Sequence, residues 1–222
     1  MIIARREAGR AIPVHGLLKG ETTAYLAELS EAHRTFAERN GFDGATGKIL
    51  ALPASDGEIS AVLLGLGDEP DPFAIAALNR FRDGTFALGD GWADPTSSAL
   101  GFLLGLYRFD NYRASTPRDV KLLEPDGVDI GDVNRVASSV SLTRDLINTP
   151  ANDLGPAELA DAAQALGRKY GAAVTITDGE DLETGFPMIA AVGAASSRPP
   201  LLIDLVWGEA DAPKLTLVGK GV

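Results

Sequence analysis

Short apolar runs take turns with helix-patterned stretches along the first 125 residues, and this alternation narrows the fold more than any other property of the chain. Lys48-Ile-Leu-Ala-Leu-Pro53 and Ile59-Ser-Ala-Val-Leu-Leu-Gly-Leu66 flank Ala54-Ser-Asp-Gly-Glu58, which predicts two strands around a turn. Gly84-Thr-Phe-Ala-Leu88 and Val120-Lys-Leu-Leu123 predict two more. Between them Pro72 to Phe81 predicts a short helix. A second helix, Pro95 to about Tyr107, has Asp94 as N-cap, Pro95 at its first position, and Leu100, Leu103, Leu104 and Tyr107 on one face. Upstream, Leu26, Leu29, His33 and Phe36 recur at helical spacing, predicting one amphipathic helix from Glu21 to Asn40 that Gly41 terminates. Strands interleaved with helices imply an α/β layer structure, whose strand order the pattern leaves open.

Glu124-Pro-Asp-Gly-Val-Asp-Ile-Gly131 is rich in Pro, Gly and Asp between two patterned regions, so a domain junction is expected there, dividing 1–125 from 126–222. Beyond it, Val133, Val136, Val140 and Ile147 share a helical face that must end before Pro150. Thr143-Arg-Asp-Leu-Ile-Asn-Thr-Pro-Ala-Asn-Asp-Leu-Gly-Pro156 joins this helix to another, Pro156 to Tyr170, with Leu159, Ala163 and Leu166 inward and Gly171 at its C-terminal end. Ala173–Thr177, Leu201–Trp207 and Lys214–Val218 are predicted strands of a new sheet. The last meets Gly219-Lys220-Gly221-Val222, where the sequence stops. A strand of this kind sits deep in a sheet whose neighbours usually follow it, so the chain is expected to be a piece of something longer.

Several classes are excluded by composition. The 222 residues suffice to bury roughly 70 % of the unfolded surface, so core formation is not limiting. A net charge of -11, with no Lys/Arg cluster against the trend, disfavours nucleic acid and anionic membranes as partners. The absence of cysteine removes disulfides, thiolate metal sites and a cysteine nucleophile, in keeping with a reducing cytoplasm. Met1-Ile-Ile-Ala-Arg-Arg6 lacks the apolar core of a signal peptide, and no apolar run approaches the ~20 residues of a membrane span.

Asn148-Thr-Pro-Ala-Asn-Asp-Leu-Gly-Pro156 followed by Leu217-Val-Gly-Lys-Gly-Val222 resembles the leucyl aminopeptidase (cytosol aminopeptidase) family of two-metal exopeptidases. Phe186-Pro-Met-Ile-Ala-Ala-Val-Gly-Ala-Ala-Ser196 and Pro199–Gly208 fall where that family has its small-residue helix and next strand, and Gly105–Tyr112 resembles its Tyr-Arg-Phe segment. The resemblance implies an N-terminal mixed α/β, macro-like domain followed by the truncated beginning of an α/β peptidase domain. It implies peptide substrates, two divalent ions such as manganese or zinc, a metal-activated water attacking the first peptide bond, and a hexameric parent. It also makes Lys220 a metal ligand. A lysine ligates only as a neutral amine, which at pH 7 costs about 4.6 kcal/mol. A multi-ligand dication site, worth on the order of 10 to 16 kcal/mol, can supply that. The family's ligating carboxylates and second active-site lysine come after this point, so the 222-residue chain by itself is expected to hold no metal and to be inactive. The alternative is a non-catalytic small-ligand-binding or interaction module.

Other motifs fall short. A phosphate-binding loop around Gly219-Lys220 needs Gly at 214 and Ser or Thr at 221, where Lys214 and Gly221 stand. Gly65-Leu-Gly67 begins a dinucleotide fingerprint, but Pro70 occupies the place of its third glycine. His15 and His33 are too isolated for a metal site, Asn152 and Asp153 read as helix-linker supports, and Asp204 faces one side of its strand.

Overall fold

The computed structural model describes Ile3, Ala4 and residues 10–221. Most of the Met1 to Arg6 stretch, and Val222 at the end of the terminal motif, lie outside the described residues. The chain divides into two compact units, Met1–Thr143 and Arg144–Val222.

The first unit is built on a six-stranded sheet: β1 (Ile3–Ala4), β2 (Ile12–Leu18), β3 (Ile49–Pro53), β4 (Ile59–Gly67), β5 (Asp83–Leu88) and β6 (Asp119–Leu123). The spatial order is β1-β6-β5-β2-β4-β3, parallel throughout except for the antiparallel β3–β4 edge. Around it lie α1 (Thr22–Glu28), α2 (Glu31–Arg39), a 3₁₀ helix (Pro72–Arg80), α3 (Pro95–Gly105) and α4 (Ile130–Asn148). Successive residues of a strand point to opposite faces, and here neighbours Leu63 and Leu64 enter two different cores. Leu63 joins Leu17, Leu26 and Phe42 on one side, whereas Leu64 joins Phe86, Phe102 and Leu103 on the other. Both faces of the sheet are thus covered, which is why Val62 to Gly67 is buried without alternation.

The helix expected from Glu21 to Asn40 is two helices. Ser30 adopts extended backbone angles, and its hydroxyl accepts the His33 N–H at 3.3 Å, so α2 starts afresh with its own cap. The segment predicted as a helix from Pro72 is a 3₁₀ helix capped by Asp71, whose carboxylate accepts the Phe73 N–H. The unit continues past Glu124–Gly131. Asp129 accepts the Asp132 N–H at the start of α4, and Val133 and Ala137 of that helix are buried in the same core as Phe86.

In the second unit α5 (Pro156–Tyr170) leads into β7 (Ala173–Thr177), α6 (Gly179–Gly185), α7 (Pro187–Gly193) and β8 (Leu202–Val206). β7 and β8 pair antiparallel, Thr175 opposite Asp204. Helix α5 presses on β7 at Gly167, where a Cβ would come within 2.4 Å of Val174 Cγ2. Its buried residues are Ala160 and Gly167, while Leu166, expected inward, is exposed. The strand expected at Lys214–Val218 is not formed. This segment has strand composition but no hydrogen-bonded partner among the described residues, and a strand exists only through its ladder.

Candidate functional site

The Asn148–Pro156 phrase and the Gly219-Lys220-Gly221 motif both lie in the second unit. Pro156 opens α5, and the Glu158 side chain reaches back to accept the Gly155 N–H at 2.8 Å. Its carboxyl is held below the ordinary glutamate range, chiefly by its own backbone N–H and that of Gly155, with Arg198 adding a smaller attraction. Arg198 crosses to the linker before α5. Its Nη1 donates to the Ala151 carbonyl at 2.8 Å, its Nη2 to the Asn152 carbonyl, and Nη1 lies 3.7 Å from the Glu158 carboxylate. Asp153 N–H in turn donates to the Pro150 carbonyl at 2.9 Å. The Asn148–Pro156 phrase is therefore a clamped helix-to-helix connection, and Asn152 takes part through its backbone. The sequence offered no signal for Arg198, because the pairing spans more than forty positions and follows no local spacing.

Lys220 lies in the unpaired stretch after Lys214. It is exposed, and its Nζ donates to the adjacent Gly221 carbonyl at 3.5 Å. Gly221 sits against α5, where a Cβ would stand 3.0 Å from Leu159 Cδ2, whereas Gly219 has open space around it. Among the described residues there is no group of three or more His, Cys, Asp or Glu side chains that could hold a metal. The histidines are engaged elsewhere: His33 Nε2 lies 2.8 Å from the Pro53 carbonyl, and His15 pairs with Asp90. A single amine does not make a dication site, so the described donor set does not fit the metal centre that the motif implies. Asp204 is exposed on β8.

In the first unit Gly65 and Gly67 serve backbone packing. A Cβ on Gly65 would meet the Ala45 carbonyl at 2.2 Å, and Gly67 has a φ of +86° where β4 ends. Gly67 N–H donates to the Gly44 carbonyl and Lys19 N–H to the Gly67 carbonyl, which leaves these glycines as a strand-end turn.

Residues 12–125 match the pattern of the M17 aminopeptidase N-terminal domain, and residues 141–222 match the catalytic domain of the cytosol aminopeptidase family. The chain belongs to the M17 cytosol aminopeptidase family. A Leifsonia xyli protein named "Probable cytosol aminopeptidase" is 33 % identical over 203 residues, covering 82 % of this chain and 41 % of the relative. A Streptomyces coelicolor protein of the same name is 33 % identical over 230 residues, covering 83 % and 44 %. The crystal structure of the Coxiella burnetii cytosol aminopeptidase superposes with a TM-score of 0.88 at 36 % identity, over 95 % of this chain and 47 % of that one. The bottromycin maturation enzyme BotP in complex with Mn superposes with a TM-score of 0.71 at 29 % identity, over 91 % and 46 %. The M17 chain described here thus spans less than half the length of these relatives. Its mixed α/β fold with a mainly parallel sheet is that of its M17 neighbours.

Proposed function

We propose that this sequence supplies the N-terminal α/β domain and the opening of the catalytic domain of a cytoplasmic, metal-dependent aminopeptidase that removes N-terminal residues from peptides. The observation that carries this is the match of 141–222 to the catalytic-domain pattern, together with superposition of nearly the whole chain on about half of a cytosol aminopeptidase. The cytoplasmic assignment rests on the relatives' names.

In the longer protein Lys220 is a ligand of one of two divalent ions, manganese or zinc, and the active assembly is a hexamer. Manganese is supported by the complex of the related BotP. Among the described residues no cluster of metal-ligating side chains stands with Lys220, and the proposal is that the 222-residue chain alone holds no such ion and hydrolyses no peptide. The division proposed for the polypeptide, as family domains, is 1–125 for the N-terminal domain and 126–222 for the catalytic portion, whose first helix packs Val133 and Ala137 into the core of the first compact unit. The test is to assay leucine release from a leucyl amide, with and without manganese or zinc, for the 222-residue chain and for the same chain extended through its natural downstream sequence. Activity in the extended chain alone supports the proposal, and metal-dependent activity in the short chain contradicts it.

A further inference from the structure

His15, in the middle of β2, has one ring nitrogen facing two groups of a single residue. Nδ1 lies 3.0 Å from Asp90 Oδ2 and 3.2 Å from the Asp90 backbone nitrogen. It can satisfy only one of them at a time: a bare Nδ1 accepts the N–H, whereas a protonated Nδ1 donates to the carboxylate. The ring has little freedom to turn away. The His15 side chain is 17 % exposed against 78 % for Asp90. Gly89 lies so close that a Cβ there would stand 2.8 Å from the His15 ring, and the Tyr25 ring packs at 5.5 Å between centroids. The turn that carries Asp90 is also fastened to β2 by its backbone. Gly89 N–H donates to the Val14 carbonyl at 2.9 Å, Gly16 N–H to the Asp90 carbonyl at 2.9 Å, and Trp92 Nε1–H to the Val14 carbonyl at 2.7 Å.

We propose that His15 is a protonation-operated latch on the Gly89–Trp92 turn. The neutral ring, as its Nε2–H tautomer, holds the Asp90 N–H on its bare Nδ1. The protonated ring gives up that N–H and takes instead the Asp90 carboxylate, which already stands 3.0 Å away. The turn runs on into Gly91, Trp92, Ala93 and Asp94, which form one wall of a crevice of about 230 Å³ opposite Leu66 of β4 and Pro70, Asp71 and Pro72 after it. The ionisable groups around His15 are Asp90 from the turn and Tyr25 from α1. Burial, then Asp90 and then Glu28, raise the Tyr25 phenol, so it stays neutral. The β4 residue paired with His15 is the apolar Leu63.

Hydrogen exchange of the full chain, resolved to single amides and corrected for intrinsic rates at each pH, tests the latch. The Asp90 amide should be about tenfold better protected at pH 8 than at pH 5, the worth of one ordinary hydrogen bond. His15→Gln should abolish the difference. Asp90→Ala, which replaces an exposed side chain, should keep the protection at pH 8 and lose it only in more acidic solution, because the charged ring no longer gains a carboxylate. Equal protection of the Asp90 amide at both pH values in the native chain would overturn the proposal. So would a loss of protection at the same pH in native and Asp90→Ala chains.

Discussion

Arg198 and Glu158 show how single residues give the family's Asn148–Pro156 phrase a fixed path. The guanidinium holds the carbonyls of Ala151 and Asn152, and the carboxylate holds the N–H of Gly155. All of these contacts lie near the surface, where water competes for the same groups. Arg198→Ala is therefore expected to lower the stability of the second unit by about 1 kcal/mol, read as a shift in denaturant midpoint at unchanged slope. Glu158 adds a pH dependence whose sign follows from its lowered folded value. Its contribution is present above the ordinary glutamate pKa of about 4.3 and is lost as the pH falls from there through the lower folded value. Melting curves between pH 7 and pH 3 should show an acid limb that is shallower in Glu158→Gln. At Lys220 the expectation is the opposite. Its only described contact is a 3.5 Å bond to the neighbouring carbonyl, so Lys220→Ala should change the denaturant midpoint of this chain by less than about 0.5 kcal/mol in stability. A larger loss would make Lys220 a structural residue and weaken its assignment as a ligand.

Among the elements, those whose pattern was strong and local were legible. Pro156–Tyr170 and Ala173–Thr177 form with the boundaries that Pro156, Gly171 and the β-branched run mark. β2 was not, because Pro13, His15 and Gly16 interrupt its apolar run, although it lies between β4 and β5. The break between α1 and α2 was hidden because Leu29 and His33 keep helical spacing across a capped interruption at Ser30. Strand order depends on pairings distant in sequence, such as Val14 with both Val62 and Leu88, and no local signal encodes those. The candidate site was legible at Lys220 as a motif only. Lys214–Val218 reads as a strand, yet composition cannot provide the neighbour that would make it one. The junction at Glu124–Gly131 carries a prediction of its own. Since Val133 and Ala137 bury themselves in the first unit's core, residues 1–143 expressed alone should unfold cooperatively at a higher denaturant concentration than residues 1–125. Equal midpoints would favour a domain that is complete at residue 125.

For the molecule as a whole, the second unit leaves much apolar surface in water. Leu215, Leu217 and Val218 are 84 %, 86 % and 93 % exposed, and Met188 and Trp207 add to the same unit's uncovered surface. Surface of this kind is satisfied by association. The chain should bind a hydrophobic dye and self-associate, and the triple change Leu215→Ser, Leu217→Ser and Val218→Thr should reduce both, as measured by dye emission and sedimentation. The same exposed segment leads to Lys220, which ties this behaviour to the proposed function. The most direct measurement is therefore metal content and leucyl-amide hydrolysis of the chain extended through its natural downstream sequence, compared with its Lys220→Ala variant. The extended protein should be active with manganese or zinc, and the variant should lose both activity and one bound ion. Full activity and undiminished metal content in the variant would contradict the assignment of Lys220 as a metal ligand.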